Sequence, residues 1–270
     1  MRILLQACTA LGRAAIVTVS LLSAASAQDM MRNLDLSSPN MTEAEMTREA
    51  LAAMLEAAPE GQPLDLTGKR LNGLDLSGLD FGGATLRGAY LNKTSLASAN
   101  LDKAVLDAAW ALNADFSGAS MRESSLFASQ LIGADLDGAD LTGARITADL
   151  SNASLSGAKF AGANLGADMT NQSMGLMRAV VQSANADGAD FSGANLRFVD
   201  LRYTSLKGAN LSGADMSAAR LAGADLTGAN IAGAIFDHTD LNSARLIDLV
   251  GEAEAIDMDK AYNLRRAWRK

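Results

Sequence analysis

Leu131–Ile146 reads LIGADLDGADLTGARI. A large apolar residue returns every fifth position, at Leu131, Leu136, Leu141 and Ile146. Alanine stands two residues before such a centre (Ala134, Ala139, Ala144), and glycine stands two after it (Gly138, Gly143). The residue just before the centre is polar, as at Asp135 and Asp140. The same beat extends upstream through Leu126, Met121 and Phe116, across a weak unit at Ala111, and on to Leu106, Leu101 and finally Leu66. Downstream it slips by one residue between Ile146 and Leu150, continues at Leu155, Phe160 and Leu165, and resumes from Val181 to Leu246.

A period of five matches neither a helix nor a flat strand, and self-similarity at a fixed period marks a solenoid. Within each unit the small residue and the centre are two apart, so they point to one side, as on a strand. A glycine two residues after the centre suits the third position of a type II turn, where φ is positive. If each unit ends in a corner, four units close a coil of about twenty residues, and successive coils stack in parallel.

The A-[DN]-L-x-x units resemble those of the pentapeptide-repeat family, and the resemblance covers roughly two thirds of the chain. It implies an all-β fold, a right-handed quadrilateral β-helix solenoid, here with short N- and C-terminal helical caps. The expected organisation is a signal peptide over 1–27, a polar segment with a capping helix over 28–63, the solenoid over 64–248 and a C-terminal helix over 249–270.

The N-terminal assignment rests on positive charge at Arg2 and Arg13, an apolar stretch at Ala14–Leu22 and an A-x-A site at Ala25–Ala27. Cleavage after Ala27 places the protein in the periplasm or outside the cell. The apolar stretch is too short for a stable membrane span. Cleavage also removes Cys8, the single cysteine, so the mature chain has no disulfide or thiol chemistry. The formal charge of −8 gives no support to nucleic-acid binding. Thr42 and Glu45 offer a capping box for a helix from about Glu43 to Ala57, stopped by Pro59, Gly61 and Pro63. At the other end Ala261, Leu264 and Trp268 share a helical face, which reads as a cap or as a homodimer contact through a C-terminal helix.

No catalytic constellation stands out, so the chain is expected not to be an enzyme. His238 is the only histidine and follows a buried-type Phe236 in a turn, which is neither a metal set nor half of a triad. No cofactor or metal is expected. Met169, Met174 and Met177 have the thioethers that Cu(I) takes, but methionines more often fill gaps in a core. What remains is a binding role with a protein partner. With twenty residues per coil, Arg70, Tyr90, Trp110 and Gln130 fall in one column, and arginine with aromatic rings is the composition of interface hot spots. A strand bulge that buries Trp110 is the competing reading of that weak unit. The irregular segment Asp168–Arg178, DMTNQSMGLMR, is the second candidate contact. Some pentapeptide-repeat relatives protect DNA gyrase by resembling DNA. That alternative, protection of a type II topoisomerase, applies here only if the N-terminus is not an export signal.

Overall fold

The computed structural model describes residues 35–59, 61–169 and 177–270. The expected signal peptide lies outside them. From Leu66 to Leu246 the predicted centres are buried, and the alanines two residues before them fill the space between. Each buried centre contributes on the order of 1.5–3 kcal/mol. Where a hydroxyl replaces that alanine it is satisfied internally: the Oγ1 atoms of Thr94, Thr204 and Thr239 donate to the carbonyls of Leu71, Val181 and Met216 at 2.7, 2.6 and 2.8 Å.

The corners follow the sequence expectation. The residue two after the centre has positive φ, for example Gly68 (66°), Gly83 (70°) and Gly138 (66°), and the next N–H closes the turn onto the centre's carbonyl, as from Ala84 to Phe81 at 2.8 Å. Between corners the chain forms parallel bridges twenty residues apart, such as Asp75↔Ser95↔Asp115↔Asp135 and Asp80↔Asn100↔Ser120↔Asp140. Four such ladders make a repeat β-helix. The polar residue before each centre has a local task that periodicity alone does not reveal: its side chain accepts the N–H two residues on and so caps the corner. Asp75 takes Ser77, Asp115 takes Ser117 and Asn210 takes Ser212, at 3.0, 2.9 and 3.2 Å. Asparagine also bonds along the stack, from Asn210 to Asp190 and from Asn230 to Asn210.

Both slips fall at one corner in consecutive coils. β1 (Ser125–Gln130) and β2 (Arg145–Asp149) pair in parallel, with a register shift between Phe127 and Gln130. β2 runs extended through a corner that is one residue short, so Arg145 pairs with Asn164, nineteen residues on. In the next coil the ladders skip thirty-one residues, as at Asn164↔Asn195. The slips therefore cancel in phase, and the ladders return to twenty-residue steps from Val180↔Asp200.

The N-terminal cap differs in detail from expectation. A single turn, α1 (Pro39–Thr42), leads into extended chain at Glu43, and α2 (Arg48–Ala57) begins at Arg48 instead of Glu43. Thr47 caps α2 through the Ala50 N–H, because Glu45 is engaged elsewhere, with Lys69 at 2.8 Å. Ala44 bridges Leu71 in antiparallel sense, Leu51 is fully buried against the first coil, and Arg48 donates to the carbonyls of Asp75 and Ser77. These contacts serve the open edge of the first coil.

The expected C-terminal helix is not formed. Three short 3-10 turns, Glu252–Glu254, Met258–Lys260 and Leu264–Arg266, carry the same ladders onward through Val250, Ile256, Tyr262 and Trp268. The beat lengthens here to six residues. Gly251, Asp257 and Asn263 take left-handed backbone and turn the corners, so a pattern that resembled a helix face is one more coil.

The coil that contains Tyr90 turns its corners without glycine, at Lys93, Ser98, Lys103 and Ala108, where φ lies between 56° and 58°. Left-handed backbone costs a non-glycine residue roughly 1–2 kcal/mol, only part of which glycine's extra chain entropy takes back. Ala108 is exposed, so its methyl packs little. Ala108→Gly should stabilise the protein by about 0.5–1 kcal/mol in urea unfolding; a lower midpoint would contradict this account of the corner.

Candidate interaction surface

Parallel stacking places Arg70, Tyr90, Trp110 and Gln130 on consecutive rungs of one ladder, as the spacing predicts. The weak unit does not bulge. Ala111 occupies the interior position and is buried, while Trp110 keeps both ladder bonds, donating to Ala89 O at 2.9 Å and accepting from Leu91 N–H at 2.6 Å. Tyr90 and Trp110 are both half-buried and occupy neighbouring rungs of the outer wall. Arg70 is placed beside them but tied to the cap, its Nε 3.5 Å from Glu45 Oε2. Lys69, hydrogen-bonded to the same carboxylate, holds Glu45 below the usual carboxylate range. Gln130 is buried; its Nε2 donates to Ala128 O at 3.4 Å, and its Oε1 has no hydrogen-bond partner.

Of the second candidate, Asp168–Arg178, residues 168, 169, 177 and 178 are described; it falls where Leu165 would turn a corner. Ala179 N–H closes onto Leu165 O at 3.2 Å, and the neck is pinned by Asp168 N–H to Met177 O at 2.8 Å. An excursion over 166–178 thus replaces a two-residue corner. Its ends reach different ladders. Asp168 lies 3.4 Å from Arg145, whose guanidinium also covers the Phe127 ring at 4.8 Å. Arg178 lies 4.0 Å from Asp200, on the ladder that carries the two rings. Met174 lies outside the described residues; Met169 is exposed and Met177 half-buried. Among the described residues no group of three or more His, Cys, Asp or Glu side chains is placed to hold a metal ion. His238 sits at a corner with φ 56°, its Nδ1 2.8 Å from Asp237 and its ring edge-on to Tyr262.

Below the rings the ladder continues Gln130, Asp149, Val180, Asp200, Arg220 and Asp240. Asp149 and Asp200 are the buried carboxyls of this stretch, 4% and 3% exposed; Asp149 accepts from Ser151, and Asp200 meets arginines. Arg202 grips it with two bonds of 2.8 Å, Arg220 reaches it at 3.3 Å and Arg178 stands at 4.0 Å. Burial opposes ionisation of this carboxyl, but the Arg202 hydrogen bonds and the charges of Arg202 and Arg220 prevail and hold it below its ordinary value. Burial lowers the Arg178 guanidinium from its own usual value. Sequence reading missed this group. The signal was present in the i, i+2 and i+20 spacing of Asp200, Arg202 and Arg220, but nothing in the units themselves marks that aspartate as buried.

A cleft of about 550 Å³ lies between α2 and the first coil, lined by Leu55, Pro63, Leu64, Leu79 and Phe81. Glu56 and Asp80 are the titratable groups among its described lining residues, which supply no paired base and nucleophile.

With the twenty-residue ladders in place, the family comparison is decisive. A family model for pentapeptide repeats matches eight copies, over residues 70–107, 113–143, 148–171, 176–213 and 209–246. The chain belongs to the pentapeptide-repeat family. Among solved structures it is similar to HetL, a pentapeptide repeat protein involved in heterocyst differentiation regulation from the cyanobacterium Nostoc sp., at 28% identity over 83% of this chain and 95% of that one, with a TM-score of 0.46. It is also similar to QnrB1, a plasmid-mediated fluoroquinolone resistance protein, at 17% identity over 74% and 91% of the two chains, with a TM-score of 0.43. A pentapeptide repeat protein from the Arabidopsis thaliana thylakoid lumen matches at 23% identity over 62% and 68%, with a TM-score of 0.22. No curated protein matches the chain in a sequence search.

The depressed Asp200 carboxyl gives a pH dependence with a definite sign. Its contribution is fully present above the unfolded-state aspartate value and is lost as pH falls through the lower folded-state value. Asp200→Asn leaves three arginines without their carboxylate and should cost about 3 kcal/mol at neutral pH. The gap between variant and wild type should narrow in acid. Equal stability at pH 7, or a gap that widens below pH 4, measured by urea unfolding, would contradict the assignment.

Proposed function

We propose that this chain is a non-enzymatic binding scaffold, a right-handed quadrilateral β-helix that engages a protein partner through its outer wall. The observation that carries the reading is the pair of half-buried rings, Tyr90 and Trp110, on an unbroken ladder. Rings held by backbone stacking lose little freedom on binding, and aromatic anchors dominate interface energetics. The interior supports the same reading: its centres are committed to packing, and enclosed space for a substrate is not among their products. Arg70 belongs to the seam with the cap, so its part in the contact is to frame the rings. Arg178 extends the surface along the same ladder, while Asp168 braces the excursion against Arg145.

The scaffold is proposed to act in the bacterial envelope, periplasmic or secreted, after cleavage behind Ala27. The support is the charge and apolar pattern of residues 1–27. Pairing of two copies through the last coil belongs to the same proposal, with Val250, Ile256, Tyr262 and Trp268 as its exposed apolar contacts.

The test is capture from an envelope extract by wild type and by Tyr90→Ala/Trp110→Ala, once circular dichroism has established that the variant is folded. Partner affinity should fall at least roughly tenfold, with the mature chain in the envelope beginning at Gln28 by mass spectrometry. Capture of every partner at wild-type affinity would remove the rings from the site. A cytosolic chain that retains residues 1–27 would overturn export and restore the topoisomerase alternative.

A further inference from the structure

The three arginines around Asp200 outnumber what one carboxylate can neutralise. Arg202 takes both oxygens, Arg220 shares one, and Arg178, at 4.0 Å, makes an ion pair without hydrogen-bonding contact. Each guanidinium carries five N–H donors, and a carboxylate offers two oxygens. Around Asp200 itself the group therefore keeps a surplus of guanidinium donors over carboxylate oxygens. Its arginine side chains remain partly exposed, at 25%, 31% and 42% for Arg178, Arg202 and Arg220. This stands out on a chain of net charge −8.

A second observation lies beside it. Tyr203, next to Arg202, is 62% exposed and holds φ at 61°. The corners at the equivalent places one coil further on and one unit later, Gly223 and Gly208, are glycine. One unit and one coil earlier the corners are Phe198 and Ser183, also left-handed, so what sets Tyr203 apart is its exposed ring. The ring lies over the next corner: a Cβ on Gly223 would come within 2.6 Å of it. The tyrosine is thus a rigid, exposed ring beside a cationic group.

We propose that Arg178, Arg202, Arg220 and Tyr203 form a docking point for a short, extended, carboxylate-rich segment of a partner protein. This rests on the reading of the chain as a protein-binding scaffold and names the chemistry of one contact. Guanidinium forks match carboxylates in geometry as well as charge, and the tyrosine supplies an apolar flank. The extent of the positive patch selects against a polyanion that follows the rod. On the same ladder Asp149 precedes it and Asp240 follows it, so the patch spans only about two rungs, roughly 10 Å. A nucleic acid along the wall would meet the half-buried Asp240; a segment with a few adjacent acidic residues would not.

The probe is a fluorescein-labelled peptide of alternating Asp and Glu flanked by Gly, read by fluorescence anisotropy at low salt. Wild type should bind it saturably. Arg178→Gln/Arg220→Gln should weaken binding at least tenfold while leaving the Arg202–Asp200 pair in place and the unfolding transition cooperative. Arg122→Gln, at a corner where Arg122 pairs with Asp102, should bind like wild type, as should Tyr90→Ala/Trp110→Ala. That last variant separates the two ideas: if partner capture survives it while the arginine variant loses the peptide, the ring contact fails and the docking point stands. Absence of saturable binding, equal binding by the arginine variant, or an equal loss in Arg122→Gln would overturn the proposal. Tighter binding of an oligothymidylate, or displacement of the peptide by equimolar inorganic phosphate, would overturn its assignment to carboxylates.

Discussion

Each wall of this β-helix depends on a backbone corner whose second residue after the buried centre sits in the left-handed region. The turn closes on the centre's carbonyl, and the left-handed residue directs its own N–H to the next coil, as from Gly68 to Arg87 at 2.8 Å. That single geometry decides which side chain enters the interior and which residue stacks twenty positions on. The interior follows from it: a small residue and a large one, repeated, are buried across the section. Polar side chains matter locally because they finish the corner. An Asp or Asn before the centre caps the following N–H, and Ser or Thr two residues later returns a hydroxyl to the same oxygen, as in Asp115–Ser117 and Asp225–Thr227.

Where the corner changes, the surface changes. At Ile146–Leu150 one residue is missing and the chain runs straight through; in the next coil the same corner opens into the excursion that ends at Arg178. The rest of the wall absorbs both, since Val180 resumes the ladder to Asp200. A solenoid in which each coil contacts only its neighbours tolerates such a change locally. Arg178, at the end of this insertion, adds a further ion pair to Asp200.

The centres, the corners and the stacking partners were legible in the sequence because a strict five-residue beat leaves few other structures. The two ends were not. Thr42 and Glu45 have the capping-box spacing, but Lys69 in the first coil captures Glu45, so helix α2 starts later. Ala261, Leu264 and Trp268 have helical spacing, but a six-residue unit with Asp257 and Asn263 at its corners fits them equally and joins the existing ladders. Backbone bonds offered by the preceding coil outweigh the propensity of a short isolated segment. The column of Tyr90 and Trp110 was legible from spacing alone. The Asp200 group was not, because its meaning lies in burial, and an Asp in the polar position elsewhere, such as Asp75, is exposed.

The register across the excursion carries the most weight, since it joins the upper and lower coils into one ladder. Cysteine pairs test it directly, because bridged positions have the Cα separations that a disulfide accepts. In a chain beginning at Gln28, which has no other cysteine, Asn164→Cys/Asn195→Cys should oxidise to an intramolecular disulfide in the native state, and Asn164→Cys/Asn185→Cys should not. Cross-linking of the second pair in preference to the first would contradict the thirty-one-residue step and the ladder built on it.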